Sequence, residues 1–308
     1  MTGPGGYKDG RALWAAAAAR AKLAAAERGV NPAVALREFV FDRFLARVFR
    51  EPHGPWVLKG GHAALLRVND ARTTKDVDLL RELGDPGAAV TDLRSLLDVD
   101  LGDHFRFVIT TVEPSRQGVG QPGVEGLRVG VDAYCGAKNV DSFGVDLVTG
   151  SLMTAAPQIE TAESLAVPGV QPAQVRLYPL VDHIADKLCA TQAKYGASGD
   201  QRSSRVQDLV DLVVFARTQQ VDGTPLIAAI RGEWPHRKLV GPPMFDPPAD
   251  WQDRYPRLAR SVPACGDVTT FDAAVALVHQ FLDQPLDGSA DGRRWSPTTL
   301  AWLGPTTT

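Results

Sequence analysis

Leu58-Lys59-Gly60-Gly61-His62-Ala63-Ala64-Leu65-Leu66-Arg67, followed by Arg72-Thr73-Thr74-Lys75-Asp76-Val77-Asp78-Leu79, decides the reading of this chain. Trp56 to Lys59 reads as a short strand, cut by the pair Gly60-Gly61, and His62 to Val68 reads as one or two turns of helix. Asp76 to Leu80 alternates and predicts a second strand. Residues two apart on a strand point to the same face, so Asp76 and Asp78 project together. Two adjacent carboxylates repel unless a cation lies between them, and a hard divalent ion takes one or two carboxylates plus substrate phosphates. A glycine pair between a strand and a helix leaves backbone N–H groups free to hold a phosphate. A phosphate cradle beside an Asp-x-Asp strand is the minimum equipment for metal-assisted nucleotidyl transfer. Each half alone is common in turns and strand edges; the ordered pair is far more specific.

Working outward, Gly144-Val145-Asp146-Leu147-Val148 places an acid inside an otherwise apolar strand. Asp is disfavoured there, which makes Asp146 the candidate third acid. Farther on, Leu180 to Lys194 and Arg205 to Arg217 predict helices. The first carries Lys187 among Val181, Ile184 and Leu188; the second carries Asp208 and Asp211, which share a face. A point cation near a triphosphate would serve the charge on a leaving pyrophosphate. A surface lysine with its stem laid along the helix is the plainer reading of Lys187. Asp208 and Asp211 could orient Lys187 or the attacking hydroxyl, or pair structurally with Arg202 or Arg205. Arg231 to Lys238 with Arg254, Arg257 and Arg260 is locally basic, with Trp234, Trp251 and Tyr255 interleaved. That composition suits a nucleic-acid groove with stacking platforms as well as it suits a solvated face with aromatic anchors.

These motifs, in this order, resemble the nucleotidyltransferase superfamily built on the DNA polymerase β-like core. More narrowly, KGGHAALLR and RTTKDVDLL resemble the AbiEii/AbiGii toxin family, which includes the MenT-like toxins of MenAT toxin–antitoxin systems and writes these motifs as KGG[TS]xLxxR and R.[ST].D[IF]D. The lysine of Ala185-Asp186-Lys187-Leu188 and the D-x-x-D of Asp208 to Asp211 continue it, so the resemblance covers about residues 55–217. His62 stands where the family has Ser or Thr. The resemblance implies catalytic roles for Asp76, Asp78, Asp146, Lys187, Asp208 and Asp211, with Asp76, Asp78 and Asp146 holding Mg²⁺ or Mn²⁺. It implies an NTP substrate bordered by Lys59, Gly60, Gly61, His62, Arg72, Thr74 and Lys187. It further implies transfer to the 3′ end of tRNA, which stops translation and growth, and an antitoxin encoded nearby, either a regulator or a kinase-like protein. Two other readings are open at this point: a nucleotidyltransferase acting on a small molecule or a protein hydroxyl, and a catalytically degenerate interaction module.

The expected fold class is α/β (α+β), a small mixed-sheet nucleotidyltransferase core with N-terminal helices and a helical C-terminal domain. Residues 1–150 would hold the N-terminal helices and core, and residues 151–308 a mainly helical domain. The N-terminal helices are Ala15 to Glu27, stopped by Gly29, and a second opened by Asn31-Pro32. Trp234 to Trp251 reads as an ordered loop, and the tail from Asp287 as polar and frayed. The 308 residues are 44% apolar and 22% charged, ample for a packed core, and the net charge of −3 argues against a generally basic binder. No apolar run of about 18 residues and no secretory leader pattern is present, so a cytoplasmic protein without a membrane span is expected. Cys135, Cys189 and Cys265 are scattered and read as buried thiols.

Overall fold

The computed structural model describes residues 6–29, 31–68, 74, 76–82, 84–115, 125–162, 165–195 and 201–304. Helix α1 (Gly10–Arg28) starts where the Asp9 carboxylate accepts the Ala12 N–H at 2.8 Å, and it ends at Gly29 with a left-handed φ of 66°. Helix α2 (Pro32–Val48) starts at Asn31, whose side chain accepts the Ala33 N–H at 2.9 Å. The Gly29 stop and the Asn31 cap are those the sequence predicts, whereas α1 opens at Gly10, before the expected Ala15.

Strand β1 (Trp56–Lys59) runs directly into α3 (Gly60–Arg67), followed by β2 (Val77–Arg81) and α4 (Pro86–Leu97). Three long strands come next: β3 (Phe105–Pro114), β4 (Glu125–Cys135) and β5 (Lys138–Thr149). Two short ones, β6 (Gln158–Thr161) and β7 (Gln174–Leu177), complete the main sheet, whose order is β3-β4-β5-β2-β1-β7-β6. The β2–β5 and β1–β7 pairs are parallel and the others antiparallel, so the sheet is mixed as expected.

Side chains alternate across this sheet. Leu58, Val77, Leu79, Val129, Val145, Leu147 and Leu177 are buried against α1, α2 and α4, where Phe39, Phe41 and Phe44 anchor α2. Each such phenylalanine contributes about 1.5–3 kcal/mol on burial. The opposite face carries a small apolar group of Val57, Leu80 and Tyr178, and beside it the charged residues of the site. A second core gathers Ile184, Leu188, Leu212, Phe215, Ile230 and Phe281. These come from α5 (Leu180–Gln192), α6 (Val206–Thr218), α7 (Gly223–His236) and α9 (Phe271–Asp287). The short α8 (Tyr255–Ala259) packs with them. Helix α3 joins the two cores, Ala63 facing one and Ala64 the other. The Arg67 guanidinium ties α3 to the sheet edge, donating to the Tyr178 carbonyl at 2.6 Å and to Gln158 at 3.0 Å. Lys194–Tyr195 and Gln201–Arg202 form a two-stranded ribbon, β8–β9.

Three features differ from the expectation. The main sheet extends past residue 150, because β7 pairs beside β1; its four-residue strands are too short and too exposed on β6 to show an alternating pattern. Trp234 and Pro235 close α7 instead of opening a loop. The tail after Asp287 is built in: β10 (Val221–Asp222), β11 (Arg294–Ser296) and β12 (Ala301–Leu303) form a three-stranded sheet. Its anchors are Trp295 and Trp302, buried against Phe281, with indole N–H groups donating to the Ala216 and Phe281 carbonyls at 2.7 and 2.9 Å. The three cysteines are free and buried, as expected. Among the described residues no helix is long and apolar enough to cross a membrane.

Candidate active site

The register of the main sheet lines up one row of charges. Glu113 on β3 lies opposite Arg128 on β4, Arg128 opposite Asp146 on β5, Asp146 opposite Asp78 on β2, and Asp78 opposite Lys59 on β1. Residues directly opposite on neighbouring strands share a face, so the row is continuous. Asp76, two residues before Asp78, joins the same face.

Asp78 is held tightly in place. A Cβ on Gly60 would sit 2.0 Å from Asp78 Oδ2, and Gly60 has a φ of 59°, so only glycine allows α3 to start against this carboxylate. Burial, and then the charge of Asp146, push the Asp78 carboxyl up to about 6, while Lys187, Lys59 and Arg205 pull the other way. Burial likewise raises the Asp146 carboxyl, against the opposing pull of Arg128. Ser115 Oγ donates to Asp146 Oδ1 at 3.5 Å. The Arg128 guanidinium spans the two remaining acid groups: Nη1 donates to Asp146 Oδ2 and Nη2 to Asp76 Oδ1, each at 2.5 Å.

Lys59 and the start of α3 form the other border. No side chain caps α3, which leaves its first N–H groups available to an anion. Lys59 Nζ donates to Ser151 Oγ at 2.9 Å and lies 4.2 Å from the centre of the Tyr178 ring. Burial lowers its ammonium below the ordinary lysine value, opposed by Asp186 and Glu233. Those acids belong to a neighbouring network in which Arg237 bridges Asp186 and Glu233, the latter at 2.6 Å. The His62 ring packs edge-on against Phe41, and burial lowers it to about 4, so it is a neutral ring on the core side of α3. Thr74 Oγ1 donates to the Asp76 carbonyl at 3.1 Å and accepts the Asp76 N–H at 3.4 Å, a local turn into the acid strand. Arg72, Thr73 and Lys75 lie outside the described residues.

Lys187 is no surface lysine. Its Nζ lies 2.8 Å from Asp208 Oδ1 and 2.7 Å from Asp211 Oδ2, and Arg205 adds a 2.6 Å contact to Asp208. Burial would lower the Lys187 ammonium; Asp208 and Asp211 more than reverse this and hold it above the ordinary lysine range. Burial would raise Asp208; Lys187 and Arg205 more than reverse that. Arg202 pairs with Asp246 instead. The structure therefore brings Asp76, Asp78, Asp146 and Lys59 onto one sheet face, and gathers Lys187, Asp208 and Asp211 into a buried triad whose lysine charge reaches Asp78.

Of the two readings of the basic stretch, the structure favours aromatic anchors over stacking platforms. Trp234, Trp251 and Tyr255 are buried core residues whose polar tips donate to the carbonyls of Gly241, Ser203 and Val268. Arg237 is buried as well, leaving Arg231, Lys238, Arg254, Arg257 and Arg260 exposed. Sequence reasoning missed Arg128, for which one signal was available: a glycine inside a strand, Gly144, marks a close approach by another group. A Cβ there would meet Arg128 Nη2 at 2.1 Å. For a divalent ion, the oxygen-only donor set of Asp76, Asp78 and Asp146 suits a hard cation, and the Arg128 guanidinium bridges Asp76 and Asp146 by hydrogen bonds. Among the described residues no three acidic, histidine or cysteine side chains converge as a metal site.

Comparison with known proteins bears on the whole arrangement. No curated protein matches the chain. Among solved structures, JHP933 from Helicobacter pylori is similar with a TM-score of 0.41 and 16% identity, over 83% of this chain and 96% of its own. MenT4, a nucleotidyltransferase toxin from Mycobacterium tuberculosis H37Rv, gives a TM-score of 0.49 and 16% identity, over 93% of this chain and 98% of its own. The family model described as nucleotidyl transferase AbiEii toxin, type IV TA system, matches residues 43–277. That span is well over half of the chain and contains the charged row, the start of α3 and the lysine triad alike. The chain thus belongs to the AbiEii family of nucleotidyl transferase toxins of type IV toxin–antitoxin systems.

Proposed function

We propose that this toxin transfers a nucleotide from an NTP to the 3′ hydroxyl of tRNA, and so stops translation and growth. The reading rests on one juxtaposition: the paired acids Asp78 and Asp146 stand beside the uncapped start of α3, with Lys59 next in the row. The N–H groups of Gly60, Gly61 and His62, together with Lys59, hold the triphosphate. Asp76, Asp78 and Asp146 would hold Mg²⁺ or Mn²⁺, which when bound neutralises charge on the α-phosphate and on the leaving pyrophosphate. Asp146, buried and opposite Asp78 in the row, accepts the proton of the acceptor hydroxyl. The acceptor oxygen bonds to the α-phosphorus, and the bond from that phosphorus to the pyrophosphate oxygen breaks. Lys187 contributes its charge from within the Asp208–Asp211 triad, which fixes it near Asp78.

The exposed Arg231, Arg254, Arg257 and Arg260 supply cationic surface for a phosphodiester backbone. As in other type IV systems an antitoxin is the regulatory partner; we assign it to a nearby gene, and the protein to the cytoplasm. The test is incubation with each α-labelled NTP plus Mg²⁺ or Mn²⁺, total tRNA and cell protein, beside an Asp78→Asn control. Label at the tRNA 3′ end, lost in the control, is expected. Label confined to protein or to a small molecule would overturn the acceptor assignment.

A further inference from the structure

Three carboxylates on one sheet face need a counter-charge before any substrate arrives. The fold supplies one from its own chain. Arg128 lies directly opposite Asp146, and its guanidinium continues past it across β5 to reach Asp76. The route exists only because residue 144 is glycine: a Cβ there would lie 2.1 Å from Nη2 and 2.2 Å from Cζ of Arg128. Both contacts are short charge-assisted bonds, and Asp146 is only 3% exposed, so water is a poor substitute for the arginine. The Arg128 side chain itself is 36% exposed and has solvent to swing into. Its backbone is fixed by pairing to β3 on one side and β5 on the other, so only side-chain rotation can release the acids.

We propose that Arg128 is a resident cation of the active site that competes with the divalent ion for Asp76 and Asp146. This positioning role rests on the nucleotidyl-transfer reading of the acids. The guanidinium and an ion bound by both carboxylates exclude one another, so ion binding requires Arg128 to swing out. The ion's apparent affinity is then lowered by the fraction of molecules in which Arg128 is engaged. Once released, the arginine stands at the rim of the row, still on the face where substrate phosphates would lie.

Mn²⁺ titration of the full chain, followed by electron paramagnetic resonance, tests this without reference to activity. Thermal melts with and without Mg²⁺ accompany it. Arg128→Gln is expected to bind Mn²⁺ on the order of tenfold tighter than wild type. It should also melt lower without metal and gain more from Mg²⁺. Gly144→Ala keeps the arginine charge but blocks its route, and should likewise bind Mn²⁺ more tightly. Unchanged or weaker Mn²⁺ binding by both folded variants would overturn the competition. Tighter binding by Arg128→Gln alone would overturn it too, because the effect would then be one of net charge. An Asp78→Asn variant that binds Mn²⁺ like wild type would instead overturn the reading of the acids as an ion site, a separate outcome.

Discussion

Lys187→Met removes the ammonium from the α5–α6 interface while keeping most of the side-chain volume. The lysine is 5% exposed and faces Asp208 and Asp211, 0% and 4% exposed, at 2.8 and 2.7 Å. Breaking a buried pair from one side costs about 3–5 kcal/mol, because the remaining charge keeps its burial penalty. Arg205 still holds Asp208 at 2.6 Å in the variant, so the loss should fall near the lower end of that range. At about 2 °C per kcal/mol for a chain of this size, the melting temperature should drop by roughly 6 °C.

The pH dependence sharpens the test. The Lys187 pKa is raised in the fold, so its contribution is complete below the unfolded value of about 10.4 and fades as pH rises through the folded one. That of Asp208 is lowered, so its contribution is present above about 3.9 and is lost as pH falls through the folded value. Wild-type stability from the triad is therefore flat from about pH 5 to 10. In Lys187→Met the burial of Asp208 is opposed by Arg205 without the lysine, so the deficit against wild type should be smaller at pH 5 than at pH 8. Adding Asp211→Asn should restore part of the lost stability in a double-mutant cycle. A Lys187→Met protein with wild-type melting behaviour at both pH values, but no transfer, would refute this reasoning and put the lysine on the substrate.

Three other outcomes follow from the same contacts. Asp78→Asn should abolish transfer yet raise the melting temperature more at pH 8 than at pH 4.5; the native carboxyl is held up to about 6, so the cost of its ionisation grows from the unfolded value near 3.9 and is complete above about 6. Calorimetry at the two pH values checks the sign. Gly60→Ala combines a left-handed φ, disfavoured by about 1–2 kcal/mol for other residues, with a Cβ 2.0 Å from Asp78 Oδ2. It should lower the urea midpoint and displace the acid, so that transfer falls further than stability. Trp295→Ala empties a site 0% exposed between Phe281 and Trp302 and should cost about 3–5 kcal/mol in denaturant unfolding. A midpoint unchanged from wild type would show that the C-terminal sheet is not part of the folded core.

What was legible in the sequence was what short-range rules control. Asn31-Pro32, Gly29 and the Gly60-Gly61 break mark helix ends by their own backbone chemistry, and the alternation of Asp76 to Leu80 reports a half-buried strand without knowledge of its neighbours. What was hidden depends on which strands and helices meet. Asp146 could be suspected from its apolar flanks, but its place opposite Asp78 is a matter of parallel register between β2 and β5. Trp251, Tyr255 and Trp295 look like surface aromatics beside arginines; α6, α8 and α9 close over them, and backbone carbonyls take their polar tips. Lys187 shows the same division. Its helix was plain from periodicity, whereas its partners lie 21 and 24 residues on, and only the packing of α5 on α6 decides that it neutralises two acids instead of meeting solvent. Gly144 and Arg128 are the sharpest case. Each is unremarkable alone; together, across two strands, they place an arginine between Asp76 and Asp146. A motif records which groups the chemistry needs, and register decides which of them are already spoken for when the substrate arrives.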